Sequence, residues 1–172
     1  MIVFNVLARE KGRMGQIYRP GVKFVHPRIH RRFSLFVADT AAKMLREAII
    51  RQRYIWLWTP LNEKYKAWKI KVGLLPGMWE ATLQLANSIM SYWSGSRNAW
   101  VVGINPLLYY RGTKGKRGPR VLDVAYWLEY GTRHIPPRPL FRPIADWISR
   151  HIRRLWFKFL WMAGLYQPSL SW

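Results

Sequence analysis

Apolar positions recur at helical spacing in two long stretches of the chain. From Ser34 to about Tyr54 the positions Phe36, Val37, Thr40, Ala41, Met44, Leu45, Ala48 and Ile49 fall on one face. Lys43, Arg46, Glu47 and Gln52 fall largely on the other, and Ser34 or Asp39 is suited to cap the start. From Pro143 to about Ala163, Ile144, Trp147, Ile148, Ile152, Leu155, Trp156 and Phe159 form a stripe opposite Asp146, Ser149, Arg150, Arg153 and Arg154. Pro143 is compatible with the first turn of that helix. A shorter helix is expected over Asn62 to Lys71, with Tyr65, Trp68 and Ile70 as its buried side and Gly73, Pro76 and Gly77 ending it. Leu85–Ser94 and Ala99–Ile104 flank Gly95-Ser96-Arg97-Asn98, the pattern of a β-hairpin, and Asn105-Pro106 ends the second strand. Val121 to Tyr130 reads as a short helix stopped by Gly131. The expected fold is therefore α+β: an N-terminal helix, a small antiparallel sheet with a hairpin, and a long C-terminal amphipathic helix. Residues 1–33, broken by glycines and prolines, read as an extended basic arm. Residues 34–163 read as one domain and 164–172 as a tail.

Charge changes the picture more than hydropathy does. The 172 residues include 29 Lys+Arg against 8 Asp+Glu, a formal net charge of +21. Such an excess predicts attraction to a polyanion: nucleic acid, an anionic membrane or an acidic protein. Arg28, Arg31 and Arg32 cluster near the end of the arm. Arg111, Lys114, Lys116, Arg117 and Arg120 crowd a glycine-rich stretch that reads as a mobile cationic loop. These residues are the candidate contacts to an acidic partner or to DNA. Cysteine is absent, which excludes disulfides and thiolate metal sites and suits assembly in a reducing cytoplasm. No run of apolar residues is long enough for a membrane-spanning helix. Met1–Leu7 is apolar, but its basic residues follow it, which is not the order of a signal peptide. Eleven tryptophans point to large buried contact areas, as at protein interfaces.

Nothing in the chain marks a catalytic site. His26, His30, His134 and His151 lack carboxylate neighbours at metal-ligand spacing. Glu80 and Glu129 have no feature that singles them out for acid–base work. Asp123 and Glu129 are expected to pair with arginines. Gly112, Gly115 and Gly118 lack the helix that a phosphate-binding loop requires. The expectation is a protein without enzymatic activity, metal or cofactor.

Two ordered runs resemble one group of proteins. The first is Trp58-Thr59-Pro60-Leu61, then Tyr65, Lys69, Gly73, and Ala81-Thr82-Leu83-Gln84-Leu85-Ala86-Asn87-Ser88-Ile89. The second is Glu129-Tyr130-Gly131-Thr132 followed by Pro137-Arg138-Pro139-Leu140-Phe141-Arg142-Pro143. In order and spacing they resemble the head–tail joining and tail-completion proteins of tailed bacteriophages, along roughly residues 34–160. Where that family commonly has Thr-Gly, this chain has Thr82-Leu83, without the glycine that a tight turn there would use. The resemblance implies a small α+β subunit of the virion neck, assembled in the host cytoplasm. Such subunits form a ring, usually six-fold, that completes the tail or joins it to the head connector. Its partners would be its own copies, the neighbouring neck, connector and tail-tube proteins, and DNA passing through the lumen, with no membrane involved. Glu129, Tyr130, Gly131, Thr132, Pro137, Arg138, Pro139, Phe141 and Pro143 would serve the subunit interface, with Tyr130, Arg138 and Phe141 positioning the C-terminal helix.

Magnitude bears on the charge. Six copies would carry about +126, whereas ~40 Å of duplex carries about 24 phosphate charges. Most of the excess then faces acidic proteins or solvent, with DNA second. Composition alone also fits a ribosomal-type nucleic-acid-binding protein or a protein lying on an anionic membrane surface. Motif order favours the neck.

Overall fold

The computed structural model describes residues 27–79, 83–95, 99–111 and 117–165. Helix α1 spans Pro27–Ile50. It begins seven residues before Ser34, so the end of the expected arm belongs to the folded body. The reason is Phe33, which continues the apolar stripe one turn upstream of Val37. It is 1% exposed. Ser34 is consequently not a cap. Its hydroxyl donates to the Arg31 carbonyl at 2.8 Å, inside the helix. The remainder of the arm, residues 1–26, lies outside the described residues.

A turn of 3-10 helix at Ile55–Leu57 leads to α2, Glu63–Lys71, whose start is capped by the Asn62 side chain accepting from the Lys64 N–H at 2.9 Å. Its burial differs from the expectation. Tyr65, Trp68 and Ile70 are each about half exposed, and Lys69 is the buried residue. Periodicity locates the helix but not its inner face, because Tyr65 and Trp68 border a groove and Ile70 is exposed.

The expected strand over 85–94 divides in two. Gln84–Ser88 is a short helix, α3, and Ile89–Ser94 is strand β1. Leu83 starts α3 in the left-handed conformation, φ +57°, so the tight turn is made without its glycine. A non-glycine residue there costs about 1–2 kcal/mol. Strand β2, Ala99–Ile104, pairs antiparallel with β1 in the register Ile89↔Ile104 through Ser94↔Ala99. This is the expected hairpin. A second antiparallel pair joins β3, Tyr109–Arg111, to β4, Arg117–Arg120. The cationic stretch 111–120 is thus a hairpin whose two arms are strands, not a free loop throughout. Gly118 permits the close crossing, since a Cβ there would stand 2.8 Å from the Tyr110 carbonyl oxygen. Lys114 and Lys116 lie outside the described residues. Helix α4, Val121–Tyr130, and helix α5, Phe141–Met162, complete the α+β fold.

One core joins these elements. α1 lies against the β1–β2 hairpin on one side and α5 on the other. Phe33 meets Trp156 edge-on at 4.7 Å and Phe159 at 5.5 Å, while Phe36 meets Phe159 at 5.8 Å. The start of α1 therefore lies beside the end of α5, and the two helices run antiparallel. Arg46 fixes the sheet to α1 by donating from Nε and Nη2 to the Ile89 carbonyl at 3.2 and 2.6 Å. Asp39 accepts from the Ser91 hydroxyl further along the same face. Replacing Phe33 by alanine is expected to lower the unfolding free energy by about 3–5 kcal/mol. Urea unfolding followed by far-UV circular dichroism measures it, and a loss below about 1 kcal/mol would return residues 27–33 to the arm.

Candidate functional site

The second sequence run folds into a clip between α4 and α5. Helix α4 ends as Gly131 takes φ +79° and ψ 173°, a conformation open essentially to glycine alone. Space is equally restrictive: a Cβ at Gly131 would meet the Ile135 carbonyl oxygen at 2.9 Å and Pro137 at 3.0 Å. The chain then folds back on itself. The Thr132 N–H donates to the Ile135 carbonyl at 2.8 Å, and the Thr132 hydroxyl oxygen accepts from the N–H groups of His134 and Ile135. Arg138 closes the clip, its N–H donating to the Leu128 carbonyl at 2.7 Å.

Glu129 holds the start of α5 in place. Its side chain is buried and its carboxylate sits at the N-terminus of that helix. One oxygen accepts from the N–H groups of Leu140 and Phe141 at 2.7 and 3.0 Å, and the other from Arg142 at 3.1 Å. The first four N–H groups of a helix have no partner within it. Here they belong to Leu140, Phe141, Arg142 and residue 143. Glu129 takes the first three, and Pro143 has no N–H to satisfy. The negative charge also meets the positive end of the helix dipole. The expected pairing of Glu129 with an arginine side chain is therefore replaced by backbone capping. Asp123 does pair as expected, with Arg120 at 2.9 Å.

The clip also ties the two sequence runs together. Trp58 Nε1 donates to the Pro139 carbonyl at 2.8 Å, Arg138 Nε to the Thr59 carbonyl at 2.9 Å, and Trp79 Nε1 to the Arg138 carbonyl at 2.9 Å. Phe141 is buried against the Trp79 ring, with centroids 5.9 Å apart. Arg138 and Phe141 thus hold the start of α5 within the subunit. Tyr130 does not: it points outward and packs on Tyr126 at 4.8 Å. Thr132 and Pro137 are exposed, and Pro139 and Pro143 are half-buried.

The basic candidates are spread out. Arg28, Arg31 and Arg32 are exposed on the first turns of α1, and Arg31 lies over the Trp93 ring at 4.6 Å. Arg117 is exposed on β4 with its guanidinium 5.4 Å from the Tyr109 ring centre. The Arg120 pKa is raised, first by its hydrogen bond to Asp123 and then by the charge of that carboxylate. The backbone of Arg111 belongs to β3. Among the described residues no cluster of three or more His, Asp or Glu side chains could hold a metal ion.

Beside the clip lies a groove of about 810 Å³, which sequence reasoning missed. Tyr65, Trp68, Lys69, Tyr110, Trp127 and Arg138 are among the residues lining it. Tyr65 and Trp68 stack at 5.5 Å, and burial pushes the Tyr110 phenol up to about 12. The half-exposed aromatic side of α2 was the available signal, since it was apolar yet interrupted by lysines. No protein-family model matches this chain, and no curated protein or solved structure matches it significantly.

Two substitutions test the clip. Glu129→Gln leaves one amide oxygen for three donors and removes the charge, and is expected to cost about 1–3 kcal/mol in urea unfolding. An unchanged midpoint would show that the cap contributes nothing. Gly131→Ala is expected to cost about 1–3 kcal/mol by forcing a side chain into a glycine-only conformation. The readout is the thermal midpoint, which should fall by several degrees. A midpoint at or above that of the parent would contradict the steric account.

Proposed function

We propose that this protein is a structural subunit of the neck of a tailed bacteriophage, forming a ring that completes the tail or joins it to the head connector around the DNA channel. The observation that carries the reading is the placement of its exposed apolar side chains. At one end of the antiparallel α1–α5 pair, Ile55, Trp56 and Leu57 follow α1, and Trp56 is 75% exposed. At the other end, Trp161, Met162 and Leu165 are exposed at the close of α5. A 24-residue helix such as α1 is about 36 Å long, so the patches stand well apart. A closed ring needs two different faces on each subunit, one for each neighbour. Exposed patches of this kind mark interaction sites.

The two runs that resemble the neck family add a second support, because the clip holds Trp58 and Thr59 against Arg138 and Pro139. A ribosomal-type nucleic-acid-binding role draws instead on the exposed arginines of α1 and β4. As to membranes, no helix among the described residues is long and apolar enough to cross one.

Particles purified from cells expressing the full gene cluster, imaged with an antibody to this chain, are expected to carry label at the head–tail junction. Trp161→Asp is expected to reduce ring formation in sedimentation velocity while leaving the circular dichroism spectrum unchanged. Label absent from the junction would remove the neck reading. Steeply salt-dependent binding of free duplex by a monomer, with no ring, would favour the nucleic-acid reading.

A further inference from the structure

The groove beside the clip combines buried cations with apolar side chains. Arg138 lines it and is 5% exposed. Its Nε donates to the Thr59 carbonyl, and no described carboxylate lies within ion-pair distance of it. Lys69, 4% exposed, also lines the groove and donates from Nζ to the Gly77 carbonyl at 2.6 Å. None of the described residues lining the groove is acidic. The rest of the lining is largely apolar: Trp68 and Trp127, 49% and 39% exposed, are joined by Leu61, Met78, Val124 and Ile135.

We propose that this groove receives a short segment of a different protein, in which an aromatic or branched aliphatic side chain stands next to a carboxylate. A buried guanidinium is costly without a counter-charge, and a carboxylate can engage its remaining nitrogens in a bidentate pair. Burial lowers the Arg138 pKa, the direction set by loss of water, and the neighbouring Tyr65 opposes it. Tryptophan, tyrosine and arginine lining one groove have the composition of a binding hot spot. Charge argues against a second copy as occupant. Each copy carries +21 with only 8 acidic residues, of which Glu129 caps α5 and Asp123 pairs with Arg120. A lining that is mostly apolar, with Arg138 and Lys69 its only Arg or Lys among the described residues, argues against a nucleic-acid strand, whose backbone brings a charge with every nucleotide. That the carrier is a neck neighbour rests on the neck reading. The chemistry of the groove does not.

The test uses the full chain and fluorescein-labelled acetyl-Asp-Phe-Glu-Leu-amide as probe, with the Asn/Gln counterpart and a Phe→Ala version as controls, read by fluorescence anisotropy. The acidic aromatic peptide is expected to bind about tenfold more tightly than either control. Trp68→Ala, a surface change, is expected to weaken binding about tenfold with an unchanged circular dichroism spectrum, as is Arg138→Gln where it folds. Arg150→Ala, on the exposed face of α5, should leave binding unchanged. Equal binding of acidic and neutral peptides would overturn the proposal. So would equal losses from Trp68→Ala and Arg150→Ala, which mark unspecific charge attraction. Displacement of the bound probe by oligo-dT or by a Met1–Leu7 peptide at lower concentration than the unlabelled acidic peptide would assign the groove to another occupant. Self-association abolished by Trp68→Ala would assign it to a second copy. Peptide binding by a chain absent from virion necks would remove the neck reading alone, and failure of binding by a chain present there would remove the groove alone.

Discussion

One carboxylate sets the geometry of the C-terminal half. Glu129 is fixed at the end of α4, and its two oxygens fix where the N-terminus of α5 must lie. Helix ends ordinarily rely on a nearby Ser, Thr, Asp or Asn one to three residues away. Here the cap comes from 11 to 13 residues upstream, so capping and loop closure are the same event. The loop between them contains three prolines and a turn held by Thr132, which reduces the number of conformations lost on closure. Gly131 is required because the chain must turn sharply enough to bring Pro137 back beneath α4.

The cap has consequences beyond α5. With α5 placed, Pro139 and Arg138 present their carbonyls to Trp58 and Trp79, and Arg138 reaches the Thr59 carbonyl. The indole N–H groups of both tryptophans are satisfied while their rings enter the core, the combination that makes tryptophan suitable at such joints. Trp79 itself is held at φ +60°, unusual for so large a side chain. Its burial and its bond to Arg138 are what hold it there. The segment from Trp58 to Trp79, including α2, is thereby anchored at both ends to the clip. The groove between α2 and α4 is a product of that anchoring, and its shape depends on Glu129 although Glu129 does not line it.

Most of the architecture was legible in the sequence, and the parts that were not share a cause. α4, α5 and the β1–β2 hairpin follow from period and punctuation, since Gly131, Pro143 and Gly95-Ser96-Arg97-Asn98 mark their ends. The start of α1 is hidden because Phe33 is isolated among arginines, and contact with Trp156 and Phe159 makes it core. Five residues, Gln84–Ser88, are too few to display a helical period, so α3 was read as strand. At α2, periodicity detects an apolar face without telling whether the face meets core or solvent. Glu129 was recognised as part of a motif, but a carboxylate amid arginines reads as an ion-pair partner. Only the fold shows that its partners are backbone N–H groups.

The same scarcity of acid that made Glu129 conspicuous shapes the outside of the molecule. Asp39 is engaged by Ser91, Glu47 by Arg53, Asp123 by Arg120 and Glu129 by the start of α5. These four acidic groups thus help to hold the fold, whereas arginines and lysines among the described residues largely remain at the surface. Between free copies in solution this charge is repulsive, most strongly at low ionic strength, so in the proposed ring contact between copies would fall to exposed apolar side chains such as Trp56 and Trp161. An acidic neighbour would relieve that repulsion as it docks. In the proposed ring, assembly would then be sequential: apolar contact alone would hold copies loosely, and the arrival of an acidic partner would fix them. Arg138 places one such positive charge inside a groove, where the demand for a counter-charge is local and geometric and not merely a property of the net surface.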